Sequence, residues 1–188
     1  MRVVGGSAKG TKLLAVPGDT TRPILDRVKT SLFDILRPEI ENVELLLDLF
    51  AGSGSVAIEA LSQGAKRAIM LDMAPKAIST MRENLKKTHL ESQAEVRKTD
   101  AFSYLKNTQK RFDLIYVAPP QYQGLWLEIL QLIAERPSLL SGSHAKLIIQ
   151  IDPKEREPFT SKQLVLDQER KYGNTLLLFY VLGATIHT

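Results

Sequence analysis

Residues 45–54 read Leu-Leu-Leu-Asp-Leu-Phe-Ala-Gly-Ser-Gly, and this stretch decides the fold. The near-continuous apolar run at its start is typical of a strand that is buried on both faces. Two closely spaced glycines follow, and residues 56–61 then have the composition of a helix. A buried strand that turns through a glycine loop into a helix is the first unit of a parallel α/β sheet.

Strand-like and helix-like segments alternate outward from this stretch. Predicted strands cover residues 45–50, 67–71, 94–97, 112–117 and 145–151, and predicted helices cover residues 26–36, 56–61, 75–87, 101–106 and 125–134. Two further strand-like runs, 163–170 and 175–182, are joined by four residues and must therefore pair antiparallel. We predict an α/β fold with a doubly wound, mostly parallel seven-stranded sheet and an antiparallel C-terminal hairpin.

The segment before the first helix has a different pattern. Short apolar pairs alternate with glycines, and few large apolar groups are present. This pattern predicts that residues 2–4 pair with residues 12–16 in a small hairpin. We expect residues 1–20 to form a β-hairpin appendage and residues 21–188 to form the main domain.

Composition limits the function classes. Of the 188 residues, 44% are hydrophobic and 24% are charged, as in an ordinary globular domain, and the net charge of +4 permits a nucleic-acid partner without requiring one. Cysteine is absent, which excludes disulfides, and the three histidines stand singly, so we expect no metal site. No apolar run is long enough to span a membrane, and residues 1–10 lack the centre of a signal peptide. We expect a cytoplasmic monomer without a membrane partner.

The glycine loop alone is compatible with more than one ligand. Residues 52–57, Gly-Ser-Gly-Ser-Val-Ala, match a loose dinucleotide fingerprint, which leaves a nicotinamide-dependent oxidoreductase or a purely structural turn open. Asp48, at the predicted strand end, would repel a pyrophosphate and would suit a cation. S-adenosyl-L-methionine carries an ammonium and a sulfonium group and has no phosphate, so we expect it as the cofactor.

Two further acids follow the next two predicted strands. Asp72 lies 24 residues after Asp48, where an acid can accept hydrogen bonds from ribose hydroxyls, and Asp100 is placed to receive an adenine amino group. The alternative is that these are solvated aspartates at strand ends. After the fourth predicted strand come Ala118, Pro119 and Pro120, a rigid loop that would aim carbonyls at a substrate amine.

These motifs together resemble the bacterial methyltransferases that modify the N2 amine of guanine in small-subunit (16S) rRNA. The residues that carry this resemblance are 2–6 with Gly10, 21–23 with 26–28, 32–33, 47–54, 59–62, 84–85, 113–115, 119–120 and 172–175. The resemblance covers nearly the whole chain and implies that residues 21–188 form a Rossmann-like methyltransferase domain. It also implies small-subunit rRNA, or the assembling small ribosomal subunit, as the partner.

The resemblance assigns roles to three sets of residues. S-adenosyl-L-methionine would contact Asp48, Phe50, Ala51, Gly52, Ser53, Gly54, Asp72, Met73, Asp100 and Ala101. The target base would meet Ala118, Pro119, Pro120, Gln121 and Tyr122, with Tyr122 able to stack on it. RNA would contact Arg2, Lys9, Lys12, Arg22 and Arg27, although each of these also suits a solvated basic surface.

Three positions depart from the family pattern. Asp72 stands where the family usually has Glu, and Gln121 stands at the aromatic position, one residue before Tyr122. Ala118 replaces the Asp or Asn that usually accepts a hydrogen bond from the amine being methylated. Two hypotheses follow: an active RNA methyltransferase that uses backbone carbonyls or Gln121 as acceptors, or a catalytically impaired homologue that binds S-adenosyl-L-methionine and RNA.

Overall fold

The computed structural model of the protein describes residues 1–18 and 23–184, and within them strands and helices alternate as predicted. The α-helices are α1 (Asp26–Leu36), α2 (Ser55–Ser62), α3 (Pro75–Thr88), α4 (Ala101–Asn107) and α5 (Leu125–Glu135). The strands are β1 (Leu45–Asp48), β2 (Arg67–Asp72), β3 (Ala94–Lys98), β4 (Leu114–Val117), β5 (Lys146–Ile151), β6 (Leu164–Tyr172) and β7 (Thr175–Leu182). Short 3-10 turns connect some of these elements.

The strands form a seven-stranded mixed sheet in the order β3-β2-β1-β4-β5-β7-β6. Parallel pairing joins β1 to β2, β2 to β3 and β4 to β5, whereas β7 pairs antiparallel with both β5 and β6. The predicted mostly parallel α/β sheet with an antiparallel C-terminal hairpin is therefore confirmed.

The chain divides by its internal contacts into two compact units, Met1–Ala101 and Phe102–Thr188. In the first unit, Asp48 is in register with Met70, and Asp72 is in register with Lys98. Helix α2 is buried along its whole length, including Glu59 and Ser62. The polar side chains of a helix that is buried on every side need hydrogen-bond partners within the protein. For Glu59 and Ser62 these partners lie in the segment before α1.

In the second unit, the register of β4 with β5 places Val117 opposite Ile149. Strand β7 is buried continuously from Thr175 to Tyr180, as expected of an inner strand, whereas burial alternates with exposure over most of β6, which lies at the edge of the sheet. The edge strand carries charged side chains at residues 167 and 169–171, which oppose pairing with another sheet edge.

The amino-terminal segment, residues 1–14, pairs less extensively than the sequence predicts. Arg2 and Lys12 form one antiparallel bridge, and no strand is present in residues 1–18. The ladder stops because the backbone amides of Val4 and Gly5 donate to the Glu59 carboxylate at 2.8–3.1 Å and not to a partner strand. The boundary between an appendage and a main domain near residue 20 stays a prediction.

Side chains of α2 and α3 hold this segment. The Ser62 hydroxyl accepts from the Ala8 amide at 2.9 Å and donates to the Gly5 carbonyl at 2.6 Å. The Asn84 side chain accepts from the Leu14 amide at 2.8 Å and donates to the Leu14 carbonyl at 3.0 Å. The segment is thus fixed to the first unit by hydrogen bonds that its own composition did not reveal.

Candidate cofactor site and proline loop

Three aspartates lie at the carboxyl ends of three neighbouring parallel strands in the first unit. Asp48 is the last residue of β1, Asp72 is the last residue of β2, and Asp100 follows the end of β3 by two residues. Parallel pairing places these strand ends at one edge of the sheet. Ligands of open α/β sheets bind at this edge, so the structure brings the three predicted acids to a suitable place.

Asp48 is a buried carboxylate with an unused hydrogen-bonding atom. It is 1% exposed, and its Oδ1 has no hydrogen-bond partner among the described residues. Burial raises the pKa of Asp48 from 3.8 to about 7, against the lowering effect of a hydrogen bond from the Phe50 backbone and with a further rise from the charge of Asp72. A buried, unpaired carboxylate oxygen favours a cationic ligand group and opposes a pyrophosphate.

Asp72 holds the backbone of the glycine loop. Its Oδ2 accepts from the Gly52 amide at 3.0 Å, and its Oδ1 accepts from the Ala74 amide at 2.9 Å. Each carboxylate oxygen retains capacity for a second donor, so a ligand hydroxyl can still bind there. The ribose contact of Asp72 stays a prediction, whereas its contact with the loop is a role that the sequence did not indicate.

Gly54 is the residue at which the loop enters α2. Its φ is +80°, in the left-handed region, and the loop is closed by a hydrogen bond of 2.7 Å from its amide to the Ala51 carbonyl. A Cβ at this position would lie 2.4 Å from Cε of Met70, which is fully buried. The left-handed backbone conformation therefore favours glycine here, and the end of the Met70 side chain would have to shift to admit a Cβ.

Asn84 on α3 also supports the glycine loop. Its Nδ2 donates to the Ser53 carbonyl at 2.9 Å, in addition to the Leu14 carbonyl, and the side chain is fully buried. No functional role was predicted for Asn84. A fully buried amide on the buried face of an amphipathic helix is the signal that indicates such a role.

A buried ion pair lies behind the start of α2. The Nζ of Lys29 is 3.3 Å from Oε2 of Glu59, and both side chains are fully buried. Lys29 also donates to the Arg2 carbonyl at 2.7 Å and to the Ser55 hydroxyl at 3.0 Å. These contacts connect α1, α2 and the amino-terminal segment, which makes them structural supports of the glycine loop.

The other predicted cofactor residues differ in exposure. Ala51 and Ala101 are buried, Phe50, Gly52 and Ser53 are half-buried, and Met73 and Asp100 are exposed. Their ligand contacts stay predictions. The arrangement as a whole fits S-adenosyl-L-methionine better than a dinucleotide, because the buried Oδ1 of Asp48 needs a donor or a cation.

The proline loop follows β4 in the second unit. Ala118 and Pro120 are half-buried, Pro119 is buried, and Gln121 and Tyr122 form an exposed turn before α5. The Tyr122 amide donates to Oε2 of Glu155 at 2.8 Å. Ala118 brings no side-chain acceptor, and the acid that contacts the loop comes from a segment after β5, which the sequence analysis did not predict.

The predicted RNA-contacting residues are surface residues wherever they are described. Arg2, Lys9, Lys12 and Arg27 are exposed, and Arg22 lies outside the described residues. Exposure is what RNA contact requires, but it is equally a property of solvated basic side chains, so these roles stay predictions.

In residues 1–18 and 23–184, no cluster of three or more His, Asp or Glu side chains is arranged to bind a metal ion. None of the helices in those same ranges combines the length and apolarity that crossing a membrane requires.

Comparison with known protein sequences reveals similarity over almost the entire chain. The family model described as "Conserved hypothetical protein 95" matches residues 1–181. A Bacillus subtilis protein named "Putative rRNA methyltransferase YlbH" is 38% identical over 183 residues, which are 96% of this chain and 98% of that protein. The "Ribosomal RNA small subunit methyltransferase D" of Haemophilus influenzae is 32% identical over 92% of this chain and 89% of its own length.

Solved structures show the same architecture. The "Putative methyltransferase yhhF from Escherichia coli" superposes with a TM-score of 0.83 at 30% identity and covers 98% of this chain and 99% of that chain. An RNA methyltransferase from Salinibacter ruber, solved in complex with S-adenosyl-L-homocysteine, has a TM-score of 0.67 at 16% identity and covers 88% of this chain and 96% of that chain. At this lower identity the similarity shows a shared fold.

Proposed function

Because the chain belongs to the family described as "Conserved hypothetical protein 95", we propose that it is an S-adenosyl-L-methionine-dependent methyltransferase that acts on ribosomal RNA. The observation that carries this proposal is the buried Asp48 carboxylate, whose Oδ1 is unpaired beside the glycine loop. The names of the two similar proteins, both of which are rRNA methyltransferases by name, support it. We further propose the N2 amine of a guanine in 16S rRNA as the target and the cytoplasm as the location.

The proposal gives the strand-end acids distinct tasks. S-adenosyl-L-methionine supplies an activated methyl group when it is bound. Asp48 would pair with the cationic part of this cofactor, Asp72 would bind its ribose hydroxyls, and Asp100 would bind its adenine amino group. The closed loop at Gly54 and its support by Asn84 would keep these groups in place before the cofactor enters.

The proline loop would orient the amine. A guanine amine is a weak nucleophile because its lone pair is delocalised, so an acceptor that fixes one N–H and stabilises developing positive charge would help the reaction. In this chain the available acceptors are the backbone carbonyls of Ala118 and Pro119 and the side-chain oxygen of Gln121. Two consecutive prolines restrict the directions that these groups can take.

Labelled methyl transfer tests the proposal directly. The protein is incubated with S-adenosyl-L-methionine that carries a labelled methyl group and with small-subunit RNA, free and assembled, from cells that lack this modification. We expect label on one guanine, located by digestion and mass spectrometry. Absence of label on every subunit substrate would reject the proposal, and label on another atom would reject only the guanine-N2 assignment.

An Ala118→Asp variant in the same assay separates an active enzyme from an impaired homologue. We expect the natural protein to turn over without this change. Activity that appears only in Ala118→Asp would show that the natural chain binds its ligands without catalysis.

Calorimetry with NADH in parallel with S-adenosyl-L-methionine tests the oxidoreductase alternative, and we expect heat of binding only with S-adenosyl-L-methionine.

A further inference from the structure

Tyr122 in the proline loop combines exposure with an unusual backbone conformation. Its side chain is 62% exposed, and its φ is +59°. Within residues 1–18 and 23–184, His89 is the other non-glycine residue with a positive φ. A left-handed conformation is disfavoured for a tyrosine, so contacts elsewhere must hold it in place.

Two carboxylates that follow β5 provide these contacts. The Tyr122 amide donates to Oε2 of Glu155 at 2.8 Å, and the Asp152 carboxylate, which can accept from the Tyr122 hydroxyl, raises the pKa of Tyr122. Strands β4 and β5 are parallel neighbours, so the loop after β4 and the segment after β5 emerge at the same edge of the sheet. The tyrosine is thus held at its backbone by Glu155, and Asp152 offers an acceptor for the hydroxyl at the far end of its ring.

The two carboxylates are themselves fixed. Asp152 is 8% exposed, and its Oδ1 accepts from the Lys154 amide at 2.9 Å. Oε1 of Glu155 accepts from the Asp152 amide at 3.3 Å, which completes a reciprocal capping box around Pro153–Glu155. A rigid pair of acids that holds an exposed ring has little structural value for the core, because the ring itself is not buried.

We propose that Glu155, which holds the Tyr122 backbone, and Asp152, which accepts from the Tyr122 hydroxyl, are positioning residues that keep the ring ready to stack on the target base of the RNA. This inference rests on the proposed function. An aromatic ring that is already held in one orientation loses little conformational freedom when a base stacks on it, and binding is stronger for that reason. The proline loop, which has no carboxylate at Ala118, would thus be held in place by the two carboxylates that follow β5.

Steady-state kinetics of the full-length protein with the RNA substrate tests the inference. Tyr122→Phe keeps the ring and removes the hydroxyl that donates to Asp152, Asp152→Ala removes the acceptor, and Asp152→Asn retains an acceptor oxygen. We expect Tyr122→Phe and Asp152→Ala each to raise KM for RNA about five- to tenfold, as the loss of one hydrogen bond predicts, with kcat changed less than KM. Asp152→Asn should remain close to the wild type.

Matched controls separate positioning from folding. Asp167→Ala removes an exposed carboxylate of β6 in the same unit and should leave KM unchanged, and thermal unfolding monitors the fold of every variant. The double variant Tyr122→Phe/Asp152→Ala should have no higher KM than the worse single variant, because both changes break one contact. If Asp152→Ala does not fold, Tyr122→Phe decides.

Each outcome has a distinct meaning. An active wild type whose KM is unchanged in Tyr122→Phe and Asp152→Ala, or increases that multiply in the double variant, would overturn the positioning role and leave the proposed function intact. A wild type that transfers no methyl group to any subunit substrate would reject the proposed function itself, and this inference with it.

Discussion

Asp48 and Asp72 end two adjacent parallel strands, and the charge of Asp72 adds to burial in raising the pKa of Asp48 to about 7. Asp72 is satisfied by the amides of Gly52 and Ala74, whereas Oδ1 of Asp48 has no partner in the described part of the chain. The two acids therefore differ in their hydrogen bonding: Asp72 stabilises the loop, whereas Oδ1 of Asp48 can still accept from a donor.

The first prediction concerns stability against pH. Because the folded-state pKa of Asp48 lies above its unfolded value of 3.8, its contribution to stability is fully present below pH 3.8 and is lost as the pH rises to about 7. Asp48→Asn removes this loss, so the free energy of unfolding of the variant relative to the wild type should rise across that range, by about 4 kcal/mol at most. Denaturant unfolding at several pH values measures it.

The exposed Asp167 is the matched control for this comparison. Asp167→Asn should follow the wild-type profile from pH 4 to pH 8. Parallel profiles for Asp48→Asn and the wild type would show that Asp48 does not titrate near pH 7 in the folded protein.

Cofactor binding should depend on the same proton. If the cationic group of the cofactor pairs with ionised Asp48, the Asp48 carboxyl must release its proton on binding below pH 7. The affinity for S-adenosyl-L-methionine should therefore rise with pH by up to about tenfold per unit and level off above about pH 7. Calorimetry in buffers of different ionisation enthalpy counts the released proton. In Asp48→Asn the affinity should be lower and nearly independent of pH between 5 and 7; a wild-type affinity that is flat over this range would contradict the pairing.

A third prediction concerns the contact between the amino-terminal segment and α2. Gly6 has a φ of +74°, and a Cβ there would lie 1.7 Å from the Ser62 carbonyl oxygen, whereas Gly10 has a φ of +88° and a Cβ there would meet no atom within 4 Å. Gly10→Ala should cost about 1 kcal/mol for the backbone conformation alone. Gly6→Ala should cost about 3 kcal/mol or more, because the backbone must also move. Equal losses in urea unfolding would show that the segment is not packed on Ser62.

The buried pair of Lys29 and Glu59 leads to a fourth prediction. Lys29→Met would leave the Glu59 carboxylate buried without its cation, so the free energy of unfolding should fall by about 3–5 kcal/mol. Adding Glu59→Gln removes the unpaired charge while an amide oxygen can still accept from the amide of Val4. The double variant should therefore be more stable than Lys29→Met alone, as measured by denaturant unfolding. If the loss in free energy of unfolding of the double variant equalled the sum of the losses of Lys29→Met and Glu59→Gln, the two side chains would not be coupled.

RNA contact gives the fifth prediction. Substitution of Lys9, Lys12 and Arg27 by alanine should weaken RNA binding and reduce the slope of log K against log salt by about 0.7–0.9 for each phosphate contact that is lost. Arg22→Ala tests the predicted residue that lies outside the described ranges. Lys162, an exposed lysine of the second unit, is the control, and its substitution should leave the slope unchanged. A triple variant with wild-type affinity at every salt concentration would exclude these residues from the RNA contact.

Local patterns predicted most of the secondary structure. The helix at Asp26–Leu36 and the strand at Thr175–Leu182 have the predicted bounds, because their apolar spacing and the adjacent turn residues act within a few positions. The predicted first strand extended to residue 50, whereas β1 ends at Asp48, because the chain turns there and the Ala51 amide donates to the Leu71 carbonyl at the end of β2. A contact with another strand is not visible in the local pattern.

In the candidate site, too, features that depend on the local sequence were predicted and contacts between distant segments were not. Asp48, Asp72 and the glycines were predicted because strand ends and turn residues can be recognised locally. The contacts of Asn84, Lys29 and Glu155 were not predicted, because a single polar residue does not reveal a partner that is distant in sequence. Asn84 meets residues 70 and 31 positions away, and Tyr122 meets Glu155 at a separation of 33.

The alternation of strands and helices, the position of the glycine loop and the acids at the strand ends all follow from the local sequence, because they depend on side-chain periodicity and on backbone preferences of single residues. Which of the two acids Asp48 and Asp72 has all its oxygens hydrogen-bonded depends on the folded chain. Asp72 accepts two backbone amides, while Asp48 is enclosed without a partner for Oδ1 among the described residues. That difference arises from burial and from the paths of distant segments, neither of which can be recognised in the local sequence.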